Sequence, residues 1–321
     1  MATLKSVIPK TIKITAHAFK DYEKLKYSVY ISACLVFMCT AITNNAMATS
    51  IKYQTPFEKA QWLFSGDPFG CEINHRVQSF GTLGLIANPG EVLTLSLQAD
   101  WLSLDNTQSQ AFVVPPSWQA QTQQPIATTS LHWLGSQALA QHNTNAFLEA
   151  LEQGSTWQVN IATPESSSYQ ISSSPISTQT VANQFRICRQ QLLPKPFRYL
   201  RRLELQFATS SSLLSAAHEQ DLYAMYRYIQ ADPTIAEVLI DGHADASGDH
   251  LANLVLSKAR ADEVMSRLIE LGVPAQMIQT RHHGNRAPVA SNLDTAGRKL
   301  NRRVSIRLVK SATPSALGAS K

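Results

Sequence analysis

Gly242-His243-Ala244-Asp245-Ala246-Ser247-Gly248 opens the stretch that decides the fold of the C-terminal part of this 321-residue chain. Leu256-Ser257-Lys258-Ala259-Arg260-Ala261 and Gly297-Arg298-Lys299-Leu300-Asn301-Arg302-Arg303-Val304 complete it. Between the first two pieces the apolar spacing predicts a helix from about His250 to Leu271, capped by Gly272 and barred from continuing by Pro274. Asn253, Ser257, Arg260, Val264, Leu268 and Leu271 recur at helical offsets and share one face. The later half of that stripe is plain core. The earlier half is polar and carries a guanidinium, and a buried charge needs partners.

Outward from there, Leu203, Leu205 and Phe207 alternate as a strand, and Thr209 to Ser212 offer N-caps. Leu222, Met225, Tyr226 and Ile229 follow helical spacing. Val238 with Ile240, Met277 to His282, and Val304 with Ile306 and Leu308 supply further strands. This alternation of strand and helix describes an α/β sandwich of βαβαβ type over residues 195–310. Residues 311–321 are small and polar, the composition of a disordered tail.

Residues 49–194 are written differently. Leu93, Leu95, Leu97, Ala99 and Trp101 alternate with polar residues, as do Trp157, Val159 and Ile161, so a β-rich domain is expected. Pro115-Pro116 ends the Ala111 to Val114 segment. Asn143 to Gln153 reads as a short helix with Gly154 behind it. Thr163 to Thr180, rich in serine, reads as a loop or edge strand. The prolines of Leu193-Pro194-Lys195-Pro196 mark the boundary between the two domains.

Residues 1–48 stand apart. Six lysines, from Lys5 to Lys26, precede an uncharged apolar run from Tyr27 to Ile42 and the small-x-small signal Ala46-Met47-Ala48. This is the layout of a secretory signal peptide cleaved after about Ala48. The apolar run is short for a membrane span, which needs about 20 residues. Ile31-Ser32-Ala33-Cys34 matches a lipobox superficially, but too little apolar sequence precedes Cys34.

The leader holds six of the chain's 28 basic residues and two of its 23 acidic ones, so the remainder is near charge balance. No basic excess points to nucleic acid. Outside the leader only Cys71 and Cys188 remain, and in an oxidising compartment they are expected to pair. The alternative is two buried thiols.

Asp245 lies just upstream of the polar helix stripe. One reading of Asp245 and Arg260 is an ion pair that stabilises the turn. The other is a pocket for a zwitterion, with Asp245 taking the ammonium and Arg260 clamping the carboxylate. His243, Asp245, His250, His282 and His283 supply metal-ligand types, as in zinc-dependent peptidoglycan hydrolases. They lack His-Glu-x-x-His spacing, so neither a metal nor a catalytic residue is expected.

The motifs quoted above, taken in order, resemble the OmpA-like peptidoglycan-binding domain. The resemblance implies that Asp245 and Arg260 bind the diaminopimelate of wall stem peptides, with Asn253 in support and Arg302 and Arg303 bordering the site. Ala244 stands where that family has threonine. His282-His283-Gly284 replaces its Gly-aromatic-Gly. The opening Tyr53-Gln54-Thr55-Pro56, then Gln61-Trp62, Cys71-Glu72-Ile73-Asn74-His75, Ser79-Phe80-Gly81 and Pro115-Pro116-Ser117-Trp118, with Cys188, resemble the MotY family. That resemblance implies a periplasmic protein of the flagellar T ring that needs no cofactor. Its partners would be peptidoglycan, the basal body and MotX, with indirect contact to the stator protein PomB. A general tether between the outer membrane and the wall is the rival expectation.

Overall fold

The computed structural model describes residues 50–116, 124–163 and 167–311. The leader with Cys34 and Ala48, the Ser117-Trp118 pair, and the tail beyond Ser311 lie outside the described residues.

Ten strands form the first sheet. They are β1 (Ser50–Gln54), β2 (Trp62–Asp67), β3 (Gly70–Val77), β4 (Gly81–Ala87), β5 (Thr94–Ala99), β6 (Gln108–Val114), β7 (Ala127–Leu134), β8 (Gln137–Ala140), β9 (Thr156–Ala162) and β10 (Ser168–Ser172). Their spatial order is β1-β10-β9-β6-β7-β8-β5-β4-β3-β2. Only the β1–β10 pairing is parallel. The sheet curls, so that Tyr53 of the first strand meets Phe80, which precedes β4, at 5.2 Å. Two helices, α1 (Thr144–Glu152) and α2 (Thr178–Gln191), fill the inside. Phe147, Leu148, Leu151, Val181, Ala182 and Phe185 join the inward residues of the strands in one core.

The expected strand around Leu95 and Leu97 is present as β5, and both leucines are buried. Ser96, on the opposite parity, is buried as well, with its hydroxyl 3.5 Å from the carbonyl oxygen of its cross-strand partner Gly84. Trp101 falls beyond the strand end and is 49% exposed rather than core. The described part of the serine-rich segment includes loop, at residues 173–177, but its strand is not an edge. It supplies β10, an interior strand between β1 and β9, and then the first turn of α2. That helix delivers Cys188 to Cys71, and the two form a disulfide.

The second sheet has strands β11 (Arg202–Gln206), β12 (Ile235–Gly242), β13 (Ile278–His282) and β14 (Arg303–Lys310), in the order β11-β14-β12-β13. The short helix α3 (Phe197–Leu200) packs on the second core through Phe197 and Leu200. Helices α4 (Ala216–Ala231) and α5 (His250–Leu271) bury Leu222, Met225, Val264 and Leu268 against Leu203, Leu205, Val238, Ile240, Val304 and Ile306. A further helix, α6 (Thr295–Asn301), was not expected from the βαβαβ pattern. Ser215, rather than Thr209 to Ser212, caps α4, in a reciprocal capping box with His218. The Ala208–Leu214 segment is thereby free to fold against α5.

At Gly242 the strand and α5 come so close that a Cβ would lie 2.1 Å from the Ser257 carbonyl oxygen. Neither backbone can yield easily. Gly242→Ala is therefore expected to cost about 1–3 kcal/mol of stability through overpacking. Urea denaturation of the variant against the parent protein checks this.

Candidate functional site

The site lies where β12 leaves its sheet. His243 N donates to Arg303 O at 2.9 Å, and Ala244 N donates to Gly284 O at 2.8 Å. The turn is thus pinned by its backbone without the threonine hydroxyl of the OmpA-like pattern. Gly284, with φ +56°, takes the left-handed position of the facing loop, and Ser257 Oγ accepts from its N–H at 3.0 Å. His282 ends β13, and no glycine conformation is required of it.

Asp245 follows, 6% exposed. Its Oδ1 accepts from Ser247 N at 2.9 Å, and its Oδ2 accepts from Arg302 Nη1 at 2.8 Å. Burial alone raises a carboxyl pKa. Here the hydrogen bonds from Arg302 and Ser247 outweigh it and hold Asp245 below the usual carboxylate range. Asn253, in the first turn of α5, donates from Nδ2 to Ser247 O at 3.0 Å and steadies the same turn. Asn292 Oδ1 accepts from Ala246 N at 3.1 Å.

The ion pair between Asp245 and Arg260, one of the two readings of these residues, is not formed: Asp245 pairs with Arg302 instead. Arg260 is fully buried, and its guanidinium is held by carbonyls: Nε by Ser211 O at 2.8 Å, Nη1 by His243 O at 2.9 Å, Nη2 by Ala208 O at 3.0 Å. The Phe207 ring lies 5.4 Å from its centre. These carbonyls come from the segment folded over α5 and from the turn, so they satisfy the charge before it reaches Asp245. Burial, then Arg302, push Arg260 down to about 10, against the pull of Asp245. It therefore stays a cation at neutral pH.

Arg302 is the residue that reaches Asp245. It is the C-cap of α6, its side chain is 12% exposed, and its Nε also donates to Phe207 O at 3.2 Å. Arg303 parts company with it. As the first residue of β14 it shares a sheet face with Ser305 and Arg307, away from the helices. There it lies 3.5 Å from Glu204 and donates to Ala287 O at 3.3 Å. The structure thus brings Asp245, Asn253, Arg260 and Arg302 together and leaves Arg303 outside. Sequence reasoning missed Asn292 and the covering Ala208–Ser211 segment, whose only signal is a run of small residues after the strand.

The histidines have other duties. His243 and His283 stack at 4.8 Å with planes 14° apart. His283 Nε2 meets Asp241 Oδ1 at 2.9 Å, and His250 Nδ1 meets Asn285 Oδ1 at 3.0 Å. Among the described residues no group of three or more His, Cys, Asp and Glu side chains is placed to hold a metal ion.

Burial, then Arg303 and His283, push His243 down to about 4, with Asp241 opposing. Below pH 6.5 the unfolded chain protonates this imidazole while the folded chain does not, so stability falls from pH 6.5 towards pH 4. Burial lowers His75 in the same direction. The depressed aspartates lose their contribution only at lower pH, below the usual carboxylate value. Between pH 7.5 and 4.5, His243 accounts for about 2–3 kcal/mol of lost stability. His243→Phe is expected to flatten that loss, as measured by urea midpoints at the two pH values.

Two family models match the chain: the MotY N-terminal domain over residues 53–194 and the OmpA family over residues 206–302. The sodium-type flagellar protein MotY of Vibrio parahaemolyticus is 23% identical over 278 residues, covering 84% of this chain and 95% of the relative. The probable lipoprotein YiaD of Escherichia coli is 39% identical over 102 residues. That match covers 32% of this chain, which spans only 46% of the relative's length. Among solved structures, the peptidoglycan-associated lipoprotein from Burkholderia pseudomallei matches at 27% identity and a TM-score of 0.32, covering 33% of this chain and 89% of that one. The chain thus sets a MotY N-terminal domain ahead of an OmpA-family domain, and it is similar to a MotY protein along nearly that relative's whole length.

Proposed function

We propose that the protein is an exported, non-catalytic component of a flagellar motor that holds the cell wall through its C-terminal domain. The observation that carries this reading is the buried Asp245–Arg302 pair lying over the cationic Arg260, within an OmpA-family domain. A diaminopimelate side chain ends in one ammonium and one carboxylate. Asp245 takes the ammonium. Arg302, the less buried of the two arginines, with Arg260 beneath it, supplies the positive end for the carboxylate. Asn253 keeps the turn in shape.

The β-rich domain then faces the basal body. In this reading the chain sits in the periplasm as part of the T ring beside a MotX-like protein, and reaches the PomB stator subunit through it. Stator units must resist the torque they generate, and a ring gripping the wall supplies that resistance. Deletion of the gene should abolish or strongly slow swimming and disperse the stators from the flagellar pole. Normal swimming with a fragile envelope would instead show a general wall tether.

A further inference from the structure

We propose a second wall contact, on the outer face of the first sheet, that takes a glycan strand rather than a stem peptide. It rests on the wall-facing reading above only for the source of the sugar. The register across five strands sets Lys52, Gln170, Asn160, Gln110 and Ser130 side by side in one transverse row. All of them alternate with inward residues that belong to the core, such as Val159, Ala111 and Leu131, so the row faces away from α1 and α2. Phe112, half-buried, lies two residues along the same face of β6. A depression of about 510 Å³ runs over this part of the sheet, floored by β9 and β10 and lined by Lys52, Gln110, Phe112, Asn160 and Gln170.

The chemistry of the row selects its ligand. Three amides and a hydroxyl present donors and acceptors in equal measure, with a single cation and no carboxylate. Gln158 donates to Asn160 Oδ1 at 3.1 Å, which fixes that amide and leaves its NH2 for a ligand. One lysine is too little for a nucleic acid or an anionic lipid surface, which require several cations. A protein partner favours aromatic residues and arginine at the centre of its footprint, and here Phe112 alone lies beside a row that has no arginine. A neutral chain of sugar rings bearing hydroxyl and acetamido groups fits: its groups pair with the amides while one ring face lies on Phe112. The depression is of a size for two or three sugar units, within the usual range of ligand clefts.

The test uses purified protein and two probes: wall glycan strands stripped of their stem peptides by an amidase, with the lactyl carboxylates so freed capped as methylamides to restore a neutral chain, and the free stem peptide. The parent protein should bind the stripped strands. The triple variant Gln110→Ala/Asn160→Ala/Gln170→Ala should lose at least about tenfold in that affinity and keep its affinity for the stem peptide. Phe112→Ala checks the platform separately and should also weaken strand binding. Asp245→Asn should leave strand binding unchanged. Parent protein that ignores stripped strands, or a folded triple variant that binds them equally well, overturns the inference. Self-association that the triple variant abolishes, without any glycan binding, overturns it too and assigns the face to a second copy. Binding of stripped strands but not of the stem peptide upholds it and sinks the C-terminal reading alone.

Discussion

Replacing Cys71 and Cys188 by serine is expected to lower the free energy of unfolding by about 4–5 kcal/mol. The two residues are 117 positions apart, and the entropy of closing such a loop in the unfolded chain sets this size in the chain-entropy model. The fold concentrates the consequence at one place. The bridge ties the turn between β2 and β3 to the end of α2. At Gly66 a Cβ would lie 2.5 Å from Cys188 Sγ, so the sheet is already shaped around the sulfur. The same turn carries Phe69, whose ring meets Tyr228 of α4 edge-on at 5.5 Å. Pro68 O accepts from Leu193 N at 2.9 Å. Loss of the bridge therefore loosens the approach to the second core as well as the first sheet. The urea midpoint of the parent protein should fall on addition of reductant, and the serine variant should be insensitive to it. Limited proteolysis should then cut near Leu193 to Pro196 first. A midpoint that does not move in reductant contradicts this account.

Arg260→Met is the second large effect. Methionine fills much of the volume but leaves the carbonyls of Ala208, Ser211 and His243 without the guanidinium that now satisfies all three. Hydrogen bonds to charged groups and the breaking of buried charged networks place the loss at about 3–5 kcal/mol. Arg260→Lys should recover only part of it, because an ammonium cannot span a planar fork of three carbonyls. Arg302→Gln, at the partly exposed end of the same cluster, should cost about 1–2 kcal/mol. The ranking separates a supporting cation from a surface-facing one. Chemical denaturation of the three variants measures it. Stability of Arg260→Met within 1 kcal/mol of the parent would show that the carbonyls find other partners.

Much of the C-terminal domain was legible because its periodicities are long and uninterrupted. Helix α5 runs from His250 to Leu271 as the spacing indicates, and Asn253, Ser257, Arg260, Val264 and Leu268 of the expected stripe are buried, together with Ala261. What the wheel could not supply was the partner of Arg260. A helix face says that a charge is enclosed, not which loop encloses it, and the Ala208–Ser211 segment carries no pattern of its own. The split between Arg302 and Arg303 follows from strand parity, because the second begins β14 while the first ends the turn before it. In the β-rich domain, α2 escaped notice. Its Thr178–Gln191 sequence is dominated by Thr, Gln and Asn, and only Val181, Ala182, Phe185 and Cys188 mark the buried side. The disulfide was readable without that helix, from compartment and cysteine count alone.

The most direct test of the wall-binding account is calorimetric titration of the purified protein with a stem peptide that contains diaminopimelate, beside the same peptide with lysine in its place. Lysine keeps the ammonium and lacks the second carboxylate. The account predicts tighter binding of the diaminopimelate peptide, and a loss of about 10–100-fold in Asp245→Asn at unchanged fold, the worth of one hydrogen-bonded charge. Equal affinity for the two peptides, or an Asp245→Asn variant that binds as well as its parent, would contradict it.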